Sequence, residues 1–220
     1  MRFVTLPLAA LLLFPATAAA ADISIGLGSD PGVHYGESHE IRGRLAEGST
    51  PLAGQAVELR GREYPYRGDF ETVATAVTDA AGGYAFAREF DRNMRLRVVA
   101  PLQRASSRVV HAYVYPRPRS TFRALKDDRL RITQILRTPA NVKLTARTDF
   151  YLGPEKAKTA PRVATAKPRK VGKGKFRARA TVELPRRWNG AFRYASCFRY
   201  SGGSGLGDPG ARCPKRYRFG

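Results

Sequence analysis

Apolar and polar residues alternate along most of this chain in short runs with a period of two, the pattern of strands that bury one face. Clusters of Gly, Pro, Asp and Ser, such as the segment 79–83, separate these runs. We predict about seven short strands in the first half, at the spacing typical of a β-sandwich. Their alternating positions are Ile23, Ile25 and Leu27; Val57 and Leu59; Val73, Thr75 and Val77; Tyr84 and Phe86; Leu96 and Val98; and Val110, Ala112 and Val114.

The alternation is clearer in the second half, where the polar positions are mostly cationic. Pro or Gly interrupts every window long enough for three helical turns, so helices are not favoured. Each predicted strand buries one face and leaves the other in water. The opposed sets are Phe176, Ala178, Ala180, Val182 and Leu184 against Lys175, Arg177 and Arg179; Leu130 and Ile132 against Arg129 and Arg131; Val142, Leu144, Ala146, Phe150 and Leu152 against Lys143, Arg147 and Tyr151; and Phe192, Tyr194 and Phe198 against Arg193, Cys197 and Arg199.

These patterns predict an all-β protein of two tandem antiparallel β-sandwiches over residues 22–116 and 117–220. The segment Tyr115–Arg119 holds two prolines and is predicted to be a stiff linker, because Pro favours extended backbone and lacks a ladder donor. Residues 1–21 have the basic start, apolar centre and small-residue end of a signal peptide. No later segment reaches about 18 apolar residues, so we expect a secreted or extracytoplasmic chain without a membrane span.

The excess of positive charge is confined to the second predicted domain. Residues 22–116 hold 11 Arg, no Lys and 12 acidic residues, whereas residues 117–220 hold 27 Lys or Arg and 6 acidic residues. Their net charges are therefore −1 and +21. A domain so basic attracts polyanions. Because export makes intracellular nucleic acid an improbable target, the expected partner is an anionic cell-wall or extracellular polymer, or an anionic surface, with other surface proteins as further partners.

The densest basic segment runs from Lys156 to Arg179 and contains no acidic residue. The turn Val171–Lys175 would join two strands into a hairpin whose tip and outer face carry cations. Sulfated or phosphate-rich polymers bind such a surface with an affinity that falls steeply with salt. The alternative is that the charges only solvate the fold and protect its sheet edges. The candidate polyanion-binding residues are Lys156, Lys158, Arg162, Lys167, Arg169, Lys170, Lys173, Lys175, Arg177 and Arg179.

The two cysteines, Cys197 and Cys213, fit an oxidising compartment and enclose a Gly-rich segment. A disulfide between them would stabilise the protein by about 3 kcal/mol in the chain-entropy model. It would act either as a staple that holds the C-terminus to the domain or as the base of a shaped binding loop. Two cysteines alone carry no metal or redox motif, which favours the staple.

A family resemblance is carried by three segments of the first half. These are Ile41–Leu45, Pro51–Leu59 with its Pro-Leu-Ala-Gly turn, and Thr78–Phe86, which reads Thr-Asp-Ala-Ala-Gly-Gly-Tyr-Ala-Phe. Residues 39–115 thereby resemble the carboxypeptidase-regulatory-like, transthyretin-like group of bacterial immunoglobulin-like domains. The resemblance implies that the sandwich is immunoglobulin-like or prealbumin-like, and the second half has a general similarity to immunoglobulin-like domains. It also implies a non-catalytic module of exported or surface proteins and transfers no active-site residue.

The sequence offers little for catalysis. His34 and His39 lie in a cluster with Glu37 and Glu40, but their spacing is not that of a helical zinc motif. We therefore predict no enzyme, cofactor or metal, and an exported binding or structural protein of the cell surface or envelope. Two alternatives stay open: an envelope enzyme or accessory subunit with weak metal-dependent chemistry at His34 and His39, and a purely structural spacer.

Overall fold

The computed structural model describes residues 20–28, 32–185, 188, 191–201 and 205–219. No α-helix forms within these ranges, so the predicted all-β fold is confirmed. Of the predicted signal peptide, all but the last two residues lie outside the described residues. The strands are β1 (Ala21–Ile23), β2 (Gly32–His34), β3 (Ser38–Glu47), β4 (Thr50–Pro51), β5 (Ala56–Glu63), β6 (Glu71–Val77), β7 (Gly83–Glu89), β8 (Met94–Ala100), β9 (Ala105–Ser106), β10 (Val110–Tyr115), β11 (Pro118–Ala124), β12 (Arg129–Arg137), β13 (Ala146–Pro154), β14 (Thr159–Ala166), β15 (Arg169–Gly172), β16 (Lys175–Glu183), β17 (Phe192–Tyr200) and β18 (Arg216–Arg218).

The strands form four sheets, two in each half of the chain. The first half contains β1–β3–β4, with β7 also paired to β3, and β2–β10–β8–β5–β6, with β9 on β8. The second half contains β11–β12–β16–β15 and β17–β13–β14–β18. The pairing of β10 with β2 is parallel and the other strand pairs of the described chain are antiparallel. Strand pairing among the described residues therefore stays within each half.

The hydrophobic core, unlike the sheets, crosses between the halves. A smaller cluster around Ile132 and Phe150 fills the space between the two sheets of the second half. The larger cluster fills the first half and continues into side chains of the second. Only Pro116 and Arg117 separate β10 from β11, so the linker is shorter than the predicted Tyr115–Arg119. Folding of the halves as independent domains stays a prediction. Separating the halves would expose the second-half members of this cluster, namely Leu136, Val142, Leu144, Ala146, Phe176, Tyr200 and Leu206.

Burial in β13 differs from the sequence prediction. Val142 and Leu144 are buried as predicted, but they precede the strand, which begins at Ala146. Tyr151, which alternation places on a wet face, has no exposed surface. The reason is that the C-terminal segment covers the outer side of this sheet: the Tyr151 hydroxyl donates to the Pro214 carbonyl at 2.6 Å, and β18 pairs with β14.

The predicted disulfide between Cys197 and Cys213 is present. Cys197 lies in β17 and Cys213 just precedes β18, so the bond holds the covering segment against the sheet. Tyr217 of β18 contacts the ring of Tyr151, with centroids 5.6 Å apart. The disulfide therefore acts as the staple that the sequence favours, because it holds the C-terminal segment to the sheet.

Asp149 lies beneath this cover and has no exposed side-chain surface. Arg162 donates to it at 3.1 Å, Arg199 at 2.9 Å and the Thr165 hydroxyl at 2.6 Å. Burial alone would raise the pKa of this carboxyl, but these hydrogen bonds and the charge of Arg199 outweigh burial and hold the pKa below its ordinary value. The carboxylate thus ties β13 to both neighbouring strands.

Asn93 joins the two halves of the chain. Its side-chain amide donates to the Gly207 carbonyl at 2.8 Å, and its side-chain oxygen accepts from the Val114 amide at 2.8 Å. The backbone amide of Asn93 also donates to the Gly205 carbonyl at 2.7 Å. Gly205 and Gly207 both have positive φ, and a Cβ would lie 2.7 Å from the Tyr64 ring at the first and collide with the Tyr200 ring at the second. The disulfide loop is therefore also a shaped contact with the first half.

We expect Asn93→Ala to weaken this junction strongly. The substitution leaves the buried Val114 amide and Gly207 carbonyl each without a partner, and each loss costs about 1–3 kcal/mol. Urea unfolding should show the lower stability, whereas the neighbouring Asp91→Ala, at an exposed position, should change it by less than about 0.5 kcal/mol. Equal stabilities for the two variants would contradict the role of Asn93.

Asp149→Asn should lower stability by about 1–3 kcal/mol at neutral pH, because hydrogen bonds to a charged group are lost. The native carboxyl has a lowered pKa, so its contribution is present above the ordinary value of 3.8 and disappears as the pH falls through the lower folded-state pKa. Urea titrations from pH 7 to about pH 2 should therefore show the two proteins converging in acid. The exposed control Asp127→Asn should show no such convergence, and a constant difference for Asp149→Asn would count against the buried ion pairs.

Candidate polyanion-binding surface

One sheet face of the second half carries nine of its 27 cations in a regular array. In β16, Phe176, Ala178 and Val182 are buried while Lys175, Arg177 and Arg179 are exposed, as the sequence predicted. Direct pairing in the sheet β11–β12–β16–β15 places paired side chains on the same side, so β12 and its neighbours add to this array. We call this outer side the basic face; its cations are Arg119, Arg123, Arg129, Arg131, Arg137, Arg169, Lys175, Arg177 and Arg179.

Three pairs of like charges stand directly opposite one another on the basic face. The pairs are Arg123 with Arg131, Arg137 with Lys175, and Arg169 with Arg177. Directly opposite side chains have Cβ atoms about 4.5–5.5 Å apart, and like charges at that separation destabilise a sheet. At the far end of β12, Arg129 faces Glu183 and lies 3.3 Å from Asp127. Arg129 itself therefore faces an attractive partner rather than a like charge.

The ten residues predicted from the sequence are all exposed, but the fold divides them. The predicted hairpin is real and comprises β15, a turn at Lys173 and Gly174, and β16. It does not extend back to Lys156, because β14 belongs to the opposite sheet. Arg169, Lys175, Arg177 and Arg179 lie on the basic face and Lys173 lies at the hairpin tip; Lys170 is on the edge strand β15, while Lys156, Lys158, Arg162 and Lys167 lie on β14 or its flanking connections.

Arg162 differs from the rest of the set because its guanidinium is paired with buried Asp149. For the other nine predicted residues, no ion pair is present within the described part of the chain. Four cations outside this set, Arg129, Arg131, Lys143 and Arg147, also alternate with apolar residues in the sequence and would join the array only if their strands shared its sheet. Arg129 and Arg131 do so, whereas Lys143 precedes β13 and Arg147 lies within it, in the other sheet.

Sequence reasoning missed Arg119, Arg123 and Arg137. Arg137 continues the two-residue period of Arg129 and Arg131, so extending that pattern would have found it. Arg119 falls within the predicted linker and Arg123 within no predicted strand, and only the pairing of β11 with β12 brings them onto the face. Asp149 was also missed, because a single acidic residue in a basic sequence gives no sign that it is buried.

A groove of about 920 Å³ lies where the basic face meets the first half. Arg119, Arg137 and Lys175 line it from three adjacent strands, and Tyr35 and Glu37 line it from the first half. Glu37 is paired with Arg117, another lining residue. The groove therefore extends the cationic surface into a concave site that could hold an anionic group.

The His34 and His39 region does not assemble into a metal site in the described chain. The Nε2 atom of His39 accepts from the His34 amide at 2.9 Å, which occupies one ring nitrogen locally. Within the described ranges, no three His, Cys, Asp or Glu side chains are grouped so that they could hold a metal ion. The same residues contain no helix long and apolar enough to cross a membrane.

Comparisons with known proteins give little further information. No protein-family model matches the sequence, and no match to a curated protein is found. Among solved structures, the chain is similar to red sea bream transglutaminase at 12% identity, over 82% of this chain and 29% of that one, with a TM-score of 0.35. It is also similar to dimeric latent PorU from Porphyromonas gingivalis at 8% identity, over 76% of this chain and 22% of that one, with a TM-score of 0.30. The chain spans less than a third of either protein, and similarity at this level identifies no family.

We expect Arg137→Gln to raise the stability of the protein in low salt. The substitution removes the repulsion with Lys175 and should stabilise the fold by about 0.2–1 kcal/mol. The gain should shrink at about 1 M salt, where charges are screened within about 3 Å. Arg129→Gln is the matched control, since it removes an attraction to Glu183 and should be neutral or destabilising. Thermal melts of both variants at two salt concentrations measure the difference; the same sign of change for both in low salt would contradict the array of repulsive pairs.

Proposed function

We propose that this protein is an exported, non-catalytic protein of the cell surface or envelope whose second half binds an anionic polymer through the basic face. The first half, a domain of the carboxypeptidase-regulatory-like type in this proposal, serves as a spacer or a protein-contact module. The polymer is a cell-wall or other extracellular chain that carries phosphate, sulfate or carboxylate groups at regular intervals.

The observation that carries the proposal is the set of three like-charge pairs on one sheet face. A surface needed only for solubility gains from mixed charges, whereas opposing Arg123 with Arg131, or Arg137 with Lys175, costs stability in the free protein. A bound polyanion would convert this repulsion into attraction and release condensed counterions. The stability that the free protein loses through these like-charge pairs is therefore compensated only when an anionic ligand is bound.

The dimensions of the face suit an extended polymer. Alternate residues along an antiparallel strand repeat every 6.8 Å or so, and neighbouring strands are about 4.8 Å apart. Lys175, Arg177 and Arg179 therefore form a row that a chain with repeating charges can follow, and the groove lined by Arg119 and Arg137 lies at one end of it. Exposed guanidinium groups also bind phosphate and carboxylate in a bidentate manner.

The test compares two variants with the same loss of four charges. In the first, Lys173, Lys175, Arg177 and Arg179 are changed to Gln, which leaves the buried side of β16 intact. In the second, Lys143, Arg147, Lys156 and Lys158, all exposed but outside the basic face, are changed to Gln. Affinity for heparin is measured across a series of salt concentrations.

Each phosphate-type contact that is lost should flatten the slope of log affinity against log salt by about 0.7–0.9. The first variant should therefore lose several units of slope while the second stays close to the native protein. Equal losses would mean that net charge alone governs binding, and an unchanged first variant would mean that the face is only solvated; either result would overturn the proposal.

A further inference from the structure

A second concave site lies away from the basic face, at the junction between the halves. This pocket has a volume of about 220 Å³ and is lined by β8 and β10 of the first half and by the Gly205–Gly207 segment of the second. Domain junctions are common places for small-ligand sites. At roughly 30 Å³ per water molecule, the volume corresponds to about seven waters, which suits one small ring.

The walls of the pocket are aromatic. The rings of Tyr64, Tyr66, His111 and Tyr113 follow one another with centroid separations of 5.6, 6.3 and 5.8 Å. Tyr66 is held in the left-handed region at φ 65°, which is uncommon for a side chain of this size. Such strain tends to occur where the surrounding structure fixes a side chain for binding. The loop therefore presents the Tyr66 ring in a set position.

The polar groups of the pocket are only partly used by the protein. Among the described residues, no hydrogen bond is formed by the hydroxyl of Tyr64 or of Tyr113. Burial, together with the charge of Arg95, lowers the pKa of His111 against a small opposing effect of Asp208, so the ring is neutral near pH 7 and has one donor and one acceptor. A ligand with several hydroxyl groups could pair with these atoms.

Arg95 gives the pocket its charge. Its guanidinium lies 4.5 Å from the centroid of the Tyr66 ring, its Nε is buried without a partner, and no carboxylate pairs with it in the described chain. None of the described residues that line the pocket is acidic. The Arg95 guanidinium thus lies over an aromatic ring in a pocket whose described lining residues include no carboxylate, and a guanidinium can bind a carboxylate through two hydrogen bonds.

We propose that this pocket binds a single uronate ring, a pyranose that carries one carboxylate. The aromatic side chains pack against the C–H faces of the sugar, the hydroxyls of Tyr64 and Tyr113 and the imidazole of His111 bond to its hydroxyl groups, and Arg95 binds its carboxylate. An aromatic carboxylate has no sugar hydroxyls, so the side chains of Tyr64, Tyr113 and His111 would lack hydrogen-bond partners. This disfavours an aromatic carboxylate as the ligand. The site is independent of polymer binding by the basic face.

The experiment uses the full mature chain and D-glucuronate as the probe, with D-glucose as the ring that lacks the carboxylate. Saturation-transfer NMR titrations are run in about 0.5 M salt, which screens exposed cations beyond a few ångströms. Glucuronate should bind at least tenfold more tightly than glucose. The variant with four Gln substitutions in β16 and its turn should bind glucuronate as the native protein does, so failure of either proposal is recognisable separately.

The matched pair of variants is Arg95→Gln and Arg97→Gln. Both arginines lie in β8 and each stacks 4.5 Å from an aromatic centroid, Tyr66 for Arg95 and Phe70 for Arg97, but only Arg95 lines the pocket. Arg95→Gln should weaken glucuronate binding at least tenfold, to the level of glucose, whereas Arg97→Gln should leave it within twofold. If Arg95→Gln does not fold, Tyr113→Phe is the deciding variant, because it keeps the ring and removes only the hydroxyl. It should weaken glucuronate binding threefold or more.

Three results would overturn the uronate site. The first is the absence of saturation transfer to glucuronate at about 10 mM, a concentration well above a dissociation constant of 1 mM. The second is equal binding of glucuronate and glucose. The third is an equal loss of glucuronate affinity in Arg95→Gln and Arg97→Gln. Retention of native affinity by Tyr113→Phe would do the same where that variant decides.

Discussion

The contact between Asn93 and the Gly205–Gly207 segment is the constraint on which the arrangement of the two halves depends. Strand pairing stays within each half in the described chain, so the sheets themselves do not fix one half against the other. The hydrogen bonds of Asn93 instead satisfy buried polar groups of both halves. Leu206, between the two glycines, is buried in the larger core. Closure of the loop by Cys197 and Cys213 limits the conformations of this segment before it docks.

The same junction brings two different surfaces into position. On one side, the groove lined by Arg119, Arg137 and Lys175 is completed by Tyr35 of the first half. On another, the aromatic pocket around Arg95 is completed by the backbone of the Gly205–Gly207 segment. In both cases a concave shape arises because one half supplies a charged or aromatic strand face and the other supplies a wall. Neither shape would exist in a separated half.

The cations of the second half fall into two groups that the sequence does not distinguish. Arg162 and Arg199 both pair with buried Asp149, which neutralises one of their two charges and ties β13 to its neighbours. Cations such as Arg177 and Arg137 are exposed on the opposite sheet and face like charges. The second group has its charge available for an external partner, and the first group has only part of its charge available. The 27 Lys and Arg residues of the second half therefore do not all present a free charge to a ligand.

The sequence by itself determined the all-β fold, the exposed and buried sides of β16, the β15–β16 hairpin and the disulfide. These features depend on a two-residue period, on turn residues and on the presence of only two cysteines, all of which are local or countable. Only the tertiary structure decided that Arg119 and Arg123 belong to the basic face, because the pairing and register of β11 with β12 depend on contacts between the two strands and not on the pattern within either. It also decided that Tyr151 is buried: alternation shows that a strand has two faces, but whether a later segment covers the second face depends on where the chain returns.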